Sequence, residues 1–297
     1  MRKQINETAD GLLVLAPAKI NLSLLIAGKR PDGFHEIETV MAKVDLYDEI
    51  LFEKTEKDGI ELVCKGKYTV PQGKTNLVYR ACEMLYAKRG IRGGVRVTVT
   101  KNIPVGAGLG GGSSDAAAAL IGLNRFAHLG FNETEIQDLA GLLGSDVPFF
   151  LGGPLAFCSG RGEKIKKIEE KFYFCALLVL SNVSVSTKRV YGNYMHDCAL
   201  YKELKSKTNS LLIKNNIDSL SKMCANMLEK SCFGLHSELA DLKSRIESLS
   251  ARGVCLSGSG GAMYVLTAGA DENDARRYQA MLESVGCESV IVHNNRW

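Results

Sequence analysis

Pro104-Val105-Gly106-Ala107-Gly108-Leu109-Gly110-Gly111-Gly112-Ser113-Ser114-Asp115 stands between an alternating segment, residues 95–100, and an alanine-rich run that begins at Ala116. Five glycines fall within the seven residues 106–112. Glycine lets the backbone take positive φ and come close to a ligand. A strand, such a loop and a helix start make a phosphate cradle when the loop turns its amides inward and the helix adds unpaired N–H groups and the positive end of its dipole. A plain connector would carry the same glycines. Gly106, Gly108 and Gly111 also satisfy the G-x-G-x-x-G of dinucleotide folds, but that rival fits poorly. Val95, Val97 and Val99 alternate with Arg96, Thr98 and Thr100, as on a half-exposed strand, where a dinucleotide fold needs an apolar run. No acidic residue at the end of a second strand follows at the distance that would hold a ribose. The Walker pattern fails too, because Ser113 and Ser114 occupy the places of its Gly-Lys pair. A phosphate loop of a third kind remains, beside the plain connector.

The 297 residues suffice for two domains or one large one. A formal charge of +4 with no dense basic stripe gives no reason to expect a nucleic-acid partner. Lys164, Lys166, Lys167 and Lys171, interrupted by Glu163, Glu169 and Glu170, read as solvated surface and as a domain junction. Nine cysteines with no C-x-x-C argue against a disulfide framework and a zinc site. Cys64, Cys82, Cys175 and Cys255 read as small core residues in a reducing compartment. The five histidines never fall at ligand spacing. Residues 1–11 lack a signal-peptide core and no run approaches membrane-spanning length, so a cytoplasmic protein without a membrane partner is expected.

Upstream of the loop, residues 12–26 read as a strand region interrupted by Pro17, in which period two sets Lys19 and Asn21 side by side on one face. Residues 28–33 form a turn by composition, followed by Phe34, His35 and an extended segment, 37–52. Residues 75–89 have helical spacing, a cap at Thr75-Asn76 and a stop at Gly90. Downstream, Ser114 or Asp115 is expected to cap a helix running to about His128. Asn132 and Glu135 resemble a capping box for a helix ending at Gly144. Asp146 then sits in a turn ahead of an apolar run, where a capping role is the plain reading. The second half reads as a strand (174–180), helical patterns near Leu211, at 220–228 and at 235–249, strands 253–257 and 262–267 joined by Gly258-Ser259-Gly260-Gly261, a helix (272–285) and a strand (289–293). That order predicts a split ferredoxin-like arrangement.

Three motifs then stand in order: Pro17-Ala18-Lys19-Ile20-Asn21-Leu22, the loop from Pro104 to Ser114, and Leu256-Ser257-Gly258-Ser259-Gly260-Gly261. Together they resemble the motifs of the GHMP small-molecule kinases. The resemblance implies an α+β, two-domain fold: a ribosomal-protein-like ATP-binding domain with a left-handed βαβ crossover, residues 1–168, and a ferredoxin-like domain, 169–297, with the active site between them. It implies ATP, with Mg²⁺ expected through Ser113 or Ser114. Asp146 corresponds to the family's catalytic aspartate and Lys19 to its partner lysine. Pro104, Gly106, Gly108, Gly110, Gly111, Gly112, Ser113 and Ser114 correspond to the triphosphate loop, and Asn76 and Lys101 to positions near the ATP base.

A narrower resemblance rests on Arg30-Pro31-Asp32-Gly33-Phe34-His35, on Gly144-Ser145-Asp146-Val147-Pro148-Phe149, and on Val183-Ser184-Val185-Ser186-Thr187 followed by Tyr191. It implies a small-molecule acceptor carrying cytidine diphosphate, phosphorylated on the 2-hydroxyl of its methylerythritol part. His35 would read the cytosine, Phe34 and Tyr191 would stack on it, and Asn21 and Thr187 would contact the acceptor. Gly261 and Ser181-Asn182 depart from the family's pattern, which bears on local loop shape. Two other readings stay open: a family member acting on homoserine, mevalonate or a sugar, and a non-catalytic nucleotide-binding module.

Overall fold

The computed structural model describes residues 3–9, 11–169, 173–214, 224–249, 253–267, 272–295 and 297. Its spine is a long antiparallel hairpin. After β1 (Ile5–Glu7), β2 (Leu12–Lys29) pairs with β3 (His35–Lys54) through register shifts at Pro17/Ala18, Asn21/Ser23 and Ile26/Gly28. Bulges of this kind bend a strand and raise its twist, so the two halves of β3 meet different partners. Its C-terminal half pairs with β5 (Gly94–Lys101), which lies parallel to β4 (Gly59–Gly66) across the crossover helix α1 (Leu77–Arg89). Asn76 caps α1 through its side chain and Gly90 ends it in the left-handed conformation.

Then follow α2 (Gly111–Phe126), α3 (Glu133–Leu143) with the expected Asn132/Glu135 capping box, and the short α4 (Val147–Leu151). The N-terminal half of β3 pairs with β6 (Leu155–Gly160), to which β7 (Lys164–Lys167) adds. The lysine-rich segment is therefore partly an edge strand. Charged side chains on an edge discourage pairing with another chain.

A second sheet starts with β8 (Cys175–Val179). Helices α5 (Thr187–Gly192) and α6 (Cys198–Lys214) follow, then β9 (Ala225–Asn226), α7 (Glu229–Leu235) and α8 (Ser237–Ser248). β10 (Cys255–Leu256), β11 (Met263–Thr267), α9 (Glu272–Ser284) and β12 (Ser289–His293) complete it. The order β10-β11-β8-β12, antiparallel throughout, is the ferredoxin-like one. Of the helical pattern at 220–228, residues 220–223 lie outside the described residues, and Ala225–Asn226 is a strand that pairs in parallel with β2. The strand expected at 253–257 shrinks to two residues because the glycines after it bend away into a turn.

Alternation decides which face of the hairpin meets what. Ala18, Ile20 and Leu22 of β2 and Val40, Ala42 and Val44 of β3 join Phe174, Ala176, Leu178 and Tyr264 in one apolar core between the two sheets. The Tyr264 hydroxyl donates to the Asn21 carbonyl at 2.8 Å across it. The opposite face carries Lys19, Asn21, Thr39 and Lys43 toward α2 and α4. Cys82, Cys175 and Cys255 are buried as expected, whereas Cys64 is half-buried.

Candidate active site

The glycine loop is held by its oxygens. The carbonyls of Gly106, Ala107, Gly108, Leu109 and Gly110 accept from Val185 N (3.4 Å), Ala262 N (2.9 Å), Ser257 Oγ (3.0 Å), Lys19 N (2.9 Å) and Ser114 N (2.9 Å). Among the described residues, the amides of 106–113 donate to no protein acceptor. A row of carbonyls fixed to the fold with the amides left over is what an anion cradle requires. Gly108 (φ +76°) makes the tightest approach, since a Cβ there would lie 2.0 Å from the Ser257 carbonyl oxygen. The loop is thus threaded against the third motif. Gly110, left-handed at φ +70°, is the N-cap of α2 and makes no side-chain capping bond. The expected cap at Ser114 or Asp115 is corrected: the glycines themselves form the first turn, and both side chains point into the protein, at 1% and 5% exposure.

Lys19, on β2, is 3% exposed, and its Nζ donates to Asn21 Oδ1. Asn21 Nδ2 donates to Thr39 Oγ1 at 2.8 Å, so the amide's orientation is fixed. Burial pulls the Lys19 ammonium below its ordinary value, and the Asp146 carboxylate acts against that pull. Asp146 occupies the N-cap position of α4 but makes no side-chain capping bond, which leaves its carboxylate for the cleft. The far end of α4 is clamped by Lys43, the cross-strand partner of Lys19. Lys43 is 1% exposed, and its Nζ donates to the carbonyls of Phe150 (3.0 Å) and Gly152 (2.8 Å). Burial lowers the pKa of the Lys43 ammonium to about 7, and in either protonation state its N–H groups satisfy orphan acceptors at the end of the helix. One row of the sheet therefore carries both Lys19 and the anchor of the helix that begins at Asp146.

Lys101, at the end of β5, is buried between Asp48 and Asp115; its Nζ donates to Asp48 Oδ2 and, at 2.7 Å, to Asp115 Oδ2. Asp48 Oδ1 also accepts the amides of Asn102 (2.5 Å) and Ile103 (2.8 Å), pinning the entry to the glycine loop. Burial raises the Asp115 carboxyl while Lys101 opposes it. Burial lowers Lys101, but the two carboxylates outweigh it and raise it.

At the other end of the cleft, His35 lies 5.4 Å from the Tyr191 ring and edge-on to Tyr194 at 5.6 Å between centroids. Burial, with Lys29 and His196 adding to it, lowers the His35 pKa, so the ring is neutral at pH 7. Burial raises the Tyr191 phenol, and Asp146 adds to the effect. Phe34 is 55% exposed at the rim. Thr187 Oγ1 meets Ser259 Oγ of the third motif at 2.8 Å.

A cleft of about 1300 Å³ joins these parts. Lys19, Asn21, Phe34, His35, Asn76 and Lys101 line it, as do Pro104, Gly106, Gly108, Gly110, Gly111, Gly112 and Ser113 of the loop, and Asp146, Thr187 and Tyr191. Ser114 lies outside the lining, with a buried hydroxyl that has no partner among the described residues. Asn76 spends its side chain on Val78 N and the Pro71 carbonyl, both at 2.8 Å. Sequence reasoning missed Asp48, Asp115, Lys43 and Tyr194. Asp115 adjoins the loop and was readable as a buried acid only with Lys101 and Asp48 in view.

Two family models match the chain: the GHMP kinases N terminal domain over residues 76–154 and the GHMP kinases C terminal over 208–286. A 4-diphosphocytidyl-2-C-methyl-D-erythritol kinase of Bacillus cereus (strain B4264) is 38% identical over 280 residues, 94% of this chain and 95% of that protein. The crystal structure of a 4-(cytidine 5'-diphospho)-2C-methyl-D-erythritol kinase superposes with a TM-score of 0.75 at 32% identity, covering 95% of this chain and all of that one (100%). A homoserine kinase from Cytophaga hutchinsonii, at 17% identity and a TM-score of 0.76 over 99% of this chain and 98% of its own, shares the fold.

Proposed function

The chain belongs to the GHMP kinases, and within them to the 4-diphosphocytidyl-2-C-methyl-D-erythritol kinases; from that premise we propose how its cleft performs the reaction. The protein is an ATP-dependent small-molecule kinase. It transfers a phosphoryl group to the 2-hydroxyl of 4-diphosphocytidyl-2-C-methyl-D-erythritol, a step toward isoprenoid precursors by the non-mevalonate route. The catalytic assignment rests on a single arrangement: an uncapped carboxylate, Asp146, and a buried ammonium, Lys19, facing the amides of the glycine loop across one cleft.

Phosphoryl transfer asks for positioning and charge stabilisation more than for covalent work by the protein. The amides of 106–113 hold the triphosphate. Asp146 orients the 2-hydroxyl and accepts its proton, a role worth about 10²–10⁴ in rate. Lys19 faces the charge that builds up between donor and acceptor. The aromatic chamber takes the cytosine: a neutral His35 offers one ring nitrogen as donor and one as acceptor, while Phe34 and Tyr191 stack. Thr187 and Asn21 border the acceptor. Asn76 and Lys101 border the donor base, Lys101 from within its ion triad.

Mg²⁺ accompanies ATP in this reading. Among the described residues no three His, Cys, Asp or Glu side chains form a cage, so the triphosphate would supply most of the oxygens of a hard cation bound here. The Ser113 hydroxyl and Asp115 Oδ1, buried without a partner at the cleft wall, fit the remaining positions. When bound, the cation offsets charge on the transferred group. The two domains divide at 168/169, which is supported by β7 and β8 belonging to different sheets.

Purified protein given ATP and a mixture of acceptors tests the assignment. Phosphate is expected on the cytidine-diphosphate compound in preference to mevalonate, homoserine or a sugar. Transfer to one of those with the cytidylyl compound left intact would overturn it.

A further inference from the structure

In the reading above the cytosine lies at Phe34, His35 and Tyr191 and the reacting hydroxyl at Asp146. The acceptor's two linking phosphates must therefore cross the space between. Arg161 lies at the Phe34 end of that space, in a turn whose next residue borders Asp146. It sits in the turn Gly160-Arg161-Gly162 that joins β6 to β7 and lines the cleft. Its guanidinium carbon is 5.1 Å from the centre of the Phe34 ring. At the next residue the backbone comes so near the carboxylate that a Cβ on Gly162 would lie 3.5 Å from Asp146 Oδ1.

The turn is held by its backbone. Gly160 N donates to Glu36 Oε1 (3.1 Å), Arg161 N to Glu163 Oε2 (2.5 Å) and Gly162 N to the Ser159 carbonyl (3.1 Å). The side chain is left uncommitted: among the described residues the Arg161 guanidinium forms no ion pair, and its one ring contact is Phe34. The carboxylate that feels its charge is Asp32, which is already engaged by Arg30 at 3.2 Å and by the Phe34 amide at 3.1 Å. Of the other cations that line the cleft, Lys188 is exposed on α5, and three are placed for other tasks. Lys19 is spent on Asn21 and Lys101 on its carboxylates, while Lys29 acts on His35. A guanidinium is suited to this position because it can stack on an aromatic face and still fork two N–H groups toward phosphate oxygens.

We propose that Arg161 reads the diphosphate of the acceptor, lying against Phe34 and bonding the phosphate oxygens between the cytosine chamber and Asp146, and so selects nucleoside-diphosphate-linked alcohols over bare ones. The proposal rests on the acceptor assignment above. Calorimetric titration of the wild type, Arg161→Gln and Arg161→Lys with cytidine, CMP and CDP, without ATP, separates the two ideas. Wild type should bind CDP about ten- to a hundredfold more tightly than cytidine, the range of one or two hydrogen bonds to a charged group. Arg161→Gln should keep the cytidine affinity and lose most of that ratio together with its salt dependence. Arg161→Lys should keep part of it, as a point charge without the fork.

An unchanged CDP-to-cytidine ratio in Arg161→Gln overturns the proposal. Equal weakening of cytidine and CDP does so too, because it reduces Arg161 to a support for Phe34. If the wild type binds neither cytidine nor CDP, the acceptor assignment itself falls and takes the proposal with it.

Discussion

Lys19 is 3% exposed, and two influences compete over its ammonium: burial lowers its pKa and Asp146 holds it up. The net shift is downward, so the ammonium is present below the lowered value and lost as pH rises through it. The alkaline limb of kcat/KM should therefore lie below 10.5, the ordinary lysine value. In Lys19→Arg, whose guanidinium stays charged, the residual activity should show no such limb; a limb that persists there assigns it to another group. His35 shifts in the same direction, but its neutral form is the working one. Its lowered pKa leaves the ring neutral down to a pH below the ordinary 6.5, and KM for the acceptor should rise only below that point, while His35→Gln should be flat there. Asp146→Asn should cut kcat by about 10²–10⁴ with acceptor binding largely kept. Equal loss of binding and turnover would make Asp146 a structural residue.

At the scale of elements, two connections bear the function. A Cβ at Gly108 would lie 2.0 Å from the Ser257 carbonyl oxygen at a φ of +76°. The backbone conformation alone costs a side chain about 1–3 kcal/mol, so Gly108→Ala should lower the melting temperature and raise KM for ATP as the hairpin is pushed off the loop. Lys43→Met removes a buried amine whose pKa burial lowers to about 7 but leaves the Phe150 and Gly152 carbonyls without donors, at about 1–3 kcal/mol for each. The second effect wins, and with α4 unanchored kcat should fall more than KM changes. How far these elements were legible depends on how local their causes are. The hairpin, α1, the α3 capping box and β12 follow from alternation, spacing and caps within one segment. The start of α2 was misread because the rule looks for a polar cap, whereas here Gly110 caps by conformation and Ser114 and Asp115 turn inward. The Asp48–Lys101–Asp115 triad spans 53 residues from Asp48 to Lys101, and Lys43 looks like a surface residue in an alternating strand. Such partners are set by packing, which no short window of sequence contains.

At the scale of the molecule, the two sheets share one apolar core across β2, β3, β8 and β11, so the domains should unfold together. Scanning calorimetry should give a single transition, and Tyr264→Phe, which takes the donor from the Asn21 carbonyl, should lower stability by about 1–3 kcal/mol. Two separated transitions would mean that the shared core does not couple the domains. That coupling matters because the loop proposed to hold the donor is latched by Ser257 and Ala262 of the second sheet's β10–β11 hairpin. The central claim is that one cleft takes both nucleotides end to end, triphosphate on the glycine loop and cytosine in the aromatic chamber, with the acceptor hydroxyl at Asp146. A crystal structure with a non-hydrolysable ATP analogue and the intact acceptor measures this directly. The account predicts the γ-phosphate against the amides of 106–113, the cytosine between Phe34 and Tyr191, and the 2-hydroxyl within hydrogen-bond reach of Asp146. A cytosine bound outside that chamber, or a 2-hydroxyl remote from Asp146, would contradict it.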